Sequence, residues 1–153
     1  MIIFRDVINT VKGVDTMPGE NNDCTVRALA NAAGLPYEEA HEHMAKFGRK
    51  KKHGMHLIDK TRALESKGFV IKGIYGTTNT ASLARRRLPD AKVEKGTTLK
   101  KLLKQLAKGR FVVSYKGHAL AVVDGKIIDD GAYVLANKRV VQVLELQEFC
   151  YPE

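Results

Sequence analysis

The chain has 153 residues, 44% of them hydrophobic and 28% charged, which excludes an intrinsically disordered segment and fits one domain with a sizeable core. No apolar run reaches the roughly 18 residues of a membrane span, and Met1-Ile-Ile-Phe4, followed by Arg5 and Asp6, is too short for a signal sequence. Two cysteines, Cys24 and Cys150, exclude a disulfide scaffold, and the chain reads as cytoplasmic.

Residues 1–20 are weakly patterned, with one short strand expected over Ile2–Val7 and then a loop containing Gly and Pro. Asn22 or Asp23 is placed to cap a helix whose apolar residues Val26, Leu29, Ala30 and Ala33 follow the i, i+3, i+4, i+7 spacing of a buried stripe. Gly34 ends it, and Pro36 starts a second helix through Phe47, with Tyr37, Ala40, Met44 and Phe47 on one side. A third helix is expected over about Met55–Lys67, stopped by Gly68. Phe69–Tyr75 reads as a strand, and a short helix is expected around Ala81–Leu88. Thr97 or Thr98 caps a helix over Leu99–Lys108 with a leucine stripe at 99, 102, 103 and 106. Arg110–Lys116, His118–Val123, Lys126–Asp129 and Arg139–Leu146 read as strands, joined by tight turns at Lys116-Gly117 and Asp124-Gly125. Helices followed by an antiparallel sheet make an α+β fold in a single domain, residues 1–153.

The net charge of +9, from 26 Lys and Arg against 17 Asp and Glu, gathers at Arg49-Lys-Lys-Lys52, at Arg85-Arg-Arg87, and along Lys100, Lys101, Lys104 and Lys108. Such blocks fit either a polyanion footprint or a solvated surface. No zinc-finger spacing, nucleic-acid-binding aromatic signature or helix-turn-helix pattern accompanies them, so the solvated reading is preferred and nucleic acid is not the favoured partner.

Three residues carry chemistry. Cys24 starts the first helix, where unpaired backbone N–H groups and a partial positive charge favour thiolate over thiol. Asp23 opposes this locally, so a histidine partner is needed. His118 opens an apolar strand. If Asp124-Gly125 is a two-residue turn, Val123 faces Lys126 and Leu120 faces Asp129. Side chains alternate along a strand, so His118, Leu120 and Asp129 share a face. His118 and Asp129 are then diagonal neighbours, roughly 7–8 Å apart at the backbone and bridgeable by their side chains. Asp130 points the other way. Thiol, imidazole and carboxylate are the parts of a nucleophilic triad. The other histidines, His41 and His43, then His53 and His56, lack metal-site spacing: i, i+2 on a helix sends two rings to nearly opposite sides. Neither a metal nor another cofactor is expected.

Asn22-Asp-Cys-Thr-Val-Arg-Ala-Leu-Ala30, followed by Lys116-Gly-His-Ala-Leu-Ala-Val-Val-Asp-Gly-Lys-Ile-Ile-Asp129, resembles the papain-like cysteine peptidases of the small kind found in bacteriophage and bacterial genomes. The resemblance covers roughly residues 20–130. It implies a papain-like fold with Cys24 as nucleophile, His118 as general base and acid, and Asp129 as the orienting residue. Papain-like enzymes usually carry a glutamine before the cysteine as oxyanion donor. Pro18-Gly-Glu-Asn-Asn22 stands there instead, leaving Asn21 or Asn22, with the Cys24 backbone N–H, as candidates. The expected activity is hydrolysis of an amide or isopeptide bond in a protein or peptide. Acyl transfer or deamidation by the same triad, and a non-catalytic basic binding protein, are the alternatives.

Overall fold

The computed structural model describes residues 10–76, 93–129 and 138–147. The strand expected at Ile2–Val7, the helix around Ala81–Leu88, the Arg85–Arg87 cluster, Asp130 and Cys150 lie outside these residues. The architecture is α+β, in chain order β1 (Thr10–Val11), α1 (Cys24–Ala33), α2 (Tyr37–Lys46), α3 (Leu57–Ser66), β2 (Phe69–Ile74), β3 (Thr97–Thr98), α4 (Leu99–Leu102), β4 (Arg110–Tyr115), β5 (His118–Val123), β6 (Lys126–Ile128) and β7 (Arg139–Leu146). The strands form one sheet in the order β1-β6-β5-β4-β7-β2, with β3 added on β7. All pairings are antiparallel except that of β1 with β6.

Alternation along the strands divides the core in two. Phe69, Val112, Ala119, Ala121 and Leu144 meet the apolar sides of α1, α2 and α3. Phe111, Val113, Leu120, Val122, Ile127 and Val143 face the other way, towards Leu99, Leu102 and Leu106. Alanines occupy both sides of the contact between α1 and β5, with Ala28 and Ala32 on the helix and Ala119 and Ala121 on the strand all buried. Without larger side chains to hold the two apart, the helix lies close against the strand.

The helix over Leu99–Lys108 is shorter than expected. After α4 the chain tightens into a 3-10 turn over Leu103–Leu106. Leucines at 99, 102, 103 and 106 suit a three-residue repeat as well as a 3.6-residue one, so the stripe does not distinguish the two. Thr98 does cap α4, accepting from the Lys101 backbone N–H at 3.4 Å. Asp23 stands at the cap position of α1 without capping it. Its buried carboxylate accepts instead from Tyr37 at 2.7 Å and Arg27 at 3.2 Å, tying α1 to α2.

Arg49 departs from the solvated reading of its cluster. It is buried and pairs with Glu20, its guanidinium nitrogens 2.8 and 3.1 Å from the two carboxylate oxygens. Glu20 also accepts from the Lys52 backbone N–H at 2.8 Å. The pair therefore staples the segment leading into Cys24 to the loop after α2. Lys50, Lys51 and Lys52 are exposed.

Candidate active site

The hairpin β5–β6 fixes two of the three site residues. Asp124 and Gly125 both have positive φ, 48° and 79°, which is the type I′ geometry of a two-residue turn. Val123 pairs with Lys126, Val122 with Ile127 and Ala121 with Ile128. One step further puts Asp129 opposite Leu120 and diagonal to His118. The side chains meet there: His118 Nε2 lies 2.8 Å from Asp129 Oδ2. The Asp129 backbone N–H is itself held by the Val11 carbonyl at 3.1 Å, so β1 helps to position the carboxylate.

His118 occupies the first position of its strand, at the end of the sheet, and α1 begins beside it. With Nε2 committed to Asp129, Nδ1 is the ring nitrogen left to face Cys24. The imidazole and thiol stabilise each other's charged forms. The Asp129 hydrogen bond is the largest influence on His118; with the attraction of the Cys24 sulfur it outweighs burial and raises the imidazole to about 9. Burial alone pushes the Cys24 thiol up. The interaction with His118, the Ala119 backbone and the charge of Lys60 together reverse that, leaving the thiol below its ordinary value. At neutral pH these directions favour a thiolate–imidazolium pair.

The back of the site is closed. A crevice of about 10 Å³, room for one water at most, runs between Cys24, Asn31, Asp129 and Gly13. Gly13 suits this close packing: a Cβ at that position would overlap the Asn31 amide and the Ile128 side chain unless they shifted. Val14 N–H donates to Asn31 Oδ1 at 3.0 Å, fastening this segment to α1. The front is open. Cys24, Thr25, Lys60 and His118 border a cleft of about 200 Å³ whose far wall is Met55 and His56. A neighbouring hollow of about 300 Å³ shares that wall and continues past His53 and Asp59.

Asn21 and Asn22 are exposed, and neither borders the cleft. The Asn22 side-chain amide donates to the Lys52 carbonyl at 3.2 Å and to Asn21 Oδ1 at 3.4 Å, so it is engaged away from the thiol. His41 and His43 diverge: His41 bonds Glu20, whereas His43 bonds the Ala63 carbonyl at 2.9 Å and lies tilted against the Phe47 ring. Among the described residues no group of three side chains is arranged to hold a metal ion. No helix among them is long and apolar enough to cross a membrane.

Lys60 was not legible as a site residue from the general run of basic positions, but a signal was present. Leu57, Lys60, Thr61 and Leu64 follow i, i+3, i+4, i+7, so the lysine interrupts the inward stripe of α3. In the fold it is 5% exposed, and burial lowers its ammonium to about 8 against the pull of the Cys24 charge.

Asp129→Ala removes the largest support of the imidazolium. It is expected to lower turnover by about 10²-fold or more and to reduce neutral-pH alkylation of Cys24. Asp130→Ala is expected to leave both near the unmodified values. Stopped-flow alkylation and turnover of the two variants check this.

No protein-family model matches the chain, and no curated protein or solved structure matches it. The resemblance to papain-like peptidases therefore rests on the residues themselves.

Proposed function

We propose that the chain is a papain-like thiol hydrolase that cleaves an amide or isopeptide bond in a protein or peptide. Cys24 attacks the carbonyl carbon, a C–S bond forms, and the carbonyl π pair moves to oxygen. His118 gives its proton to the departing amine as the C–N bond breaks, leaving a thioester. It then takes a proton from water, which attacks the thioester and releases the acid and the thiolate. Asp129 holds the ring in the tautomer and orientation that serve both steps.

The observation that carries this reading is the His118–Asp129 bond of 2.8 Å on a ring that also faces a thiol held below its ordinary pKa. Two features support it further. Cys24 borders a cleft as well as packing against the core, and the adjoining hollow gives room for a chain extending beyond the reacting bond.

Quenched-fluorescent peptide and isopeptide-linked libraries, read alongside Cys24→Ala, test the proposal. Cleavage that disappears in the variant, with a thioester on Cys24 trapped by acid quench, is the expected result. Absence of any Cys24-dependent acylation, by amides or by activated esters, overturns it.

A further inference from the structure

An attack by Cys24 on a carbonyl builds negative charge on an oxygen a few ångströms from the sulfur, and that charge needs donors. Asn21 and Asn22 do not border the cleft. Two other groups do. Thr25, next to Cys24, is 4% exposed, and its hydroxyl has no hydrogen-bond partner among the described residues. A buried hydroxyl left unpaired costs stability unless something completes it. Lys60 borders the same cleft from α3. Among the described residues no carboxylate forms an ion pair with its ammonium, and the charged group it responds to is Cys24. A buried cation whose one anion is a thiolate loses that partner when the thiolate attacks, unless the charge passes to an atom it can still reach.

We propose that the Lys60 ammonium and the Thr25 hydroxyl, with the backbone N–H groups at the start of α1, form the oxyanion site of Cys24. This inference rests on Cys24 being the nucleophile, as proposed above. In a cleft walled by Met55, His56 and the sheet end, a fixed cation acts in surroundings of lower dielectric than water and needs no reorganisation when charge develops. Before attack, the same ammonium faces the thiolate; afterwards it faces the oxygen. Lys60 thus passes its charge interaction from the thiolate to the developing oxygen, and Thr25 gains there the partner it lacks in the resting site.

The probe is p-nitrophenyl acetate, a neutral ester. Its acetyl group passes to Cys24 as a C–S bond forms and the bond between the acetyl carbon and the ester oxygen breaks, with the electron pair leaving on p-nitrophenolate. Acylation, read by nitrophenolate release in a single turnover, is compared with alkylation by iodoacetamide, which forms no oxyanion. Lys60→Met is expected to lower acylation by on the order of 10²-fold beyond any fall in alkylation. Thr25→Val is expected to lower acylation by about 10-fold and leave alkylation unchanged. Lys60→Arg, which keeps the charge, restores part of the loss. If Lys60→Met does not fold, Thr25→Val and Lys60→Arg carry the comparison.

The proposal is overturned if acylation and alkylation fall by the same factor, because Lys60 then only sets the thiolate fraction. It is also overturned if the loss is confined to mono-p-nitrophenyl succinate, because Lys60 then anchors a carboxylate carried by the substrate. Unchanged acylation in Lys60→Met and Thr25→Val overturns the oxyanion site and leaves Cys24 as nucleophile. An unmodified protein that resists acylation although Cys24 alkylates overturns the nucleophile reading itself.

Discussion

His118→Ala is expected to cut the iodoacetamide rate of Cys24 at neutral pH by roughly 10- to 100-fold, and turnover by more. A thiol at its ordinary pKa is only a few per cent ionised at pH 7, and the lowered pKa in the intact site raises the thiolate fraction. Removing the imidazolium leaves burial, the largest influence on Cys24 and the one that raises it, opposed only by the Ala119 backbone and Lys60. The sign with pH follows from the two shifts. Cys24 is lowered and His118 is raised to about 9, so both shifts widen the pH range in which the ion pair is favoured. It is lost in acid as the thiolate takes a proton. It is also lost as pH rises through about 9 and the imidazolium gives one up. Turnover should therefore fall on the alkaline side near that value, while in His118→Ala alkylation follows a single inflection moved towards the free-thiol range.

The largest expected effect on stability lies outside the triad. Arg49→Met takes from the Glu20 carboxylate the cation that pairs with it and helps to cover it. Stranding one member of a buried pair typically costs 3–5 kcal/mol, and because Glu20 sits near the surface about 3 kcal/mol is expected here. Urea unfolding with an unchanged slope and a lower midpoint is the readout. The Arg49 hydrogen bond is the largest influence on Glu20; with the Lys52 backbone N–H and His41 it outweighs burial and holds the carboxyl well below the usual range. A depressed carboxylate stabilises the fold at neutral pH, and the contribution is lost as pH falls towards the folded value. The unmodified protein should weaken in acid for this reason, and the paired variant Glu20→Gln with Arg49→Met should weaken less. The same pair fixes the segment before Cys24 to the loop carrying Met55 and His56, so its loss should also reduce turnover.

The parts of the site that could be read from the sequence are those governed by strict local rules. A two-residue turn with Asp124 and Gly125 at positive φ leaves one register, and period-2 alternation then brings Asp129 to His118. The start of α1 was legible because Asn22, Asp23 and the later stripe bracket Cys24. The strands β1 and β3 were not, since two residues have no period to detect. Pairings between distant segments were hidden too. Glu20 and Arg49 look like ordinary surface charges until the fold covers them, and nothing near Asp23 in sequence shows that Tyr37 of α2 will claim its carboxylate. Lys60 was in between: its place in the stripe of α3 announces burial, but only the fold shows that it is buried beside a thiol.

Limited alkylation with glutathione as an internal competitor, mapped by mass spectrometry across pH, decides whether Cys24 is an activated thiol. An activated Cys24 should outpace glutathione at about pH 6, where an ordinary thiol is almost wholly protonated, and its rate should inflect below the free-thiol range. A Cys24 that reacts no faster than glutathione there, with a profile that follows that of the free thiol, contradicts the assignment.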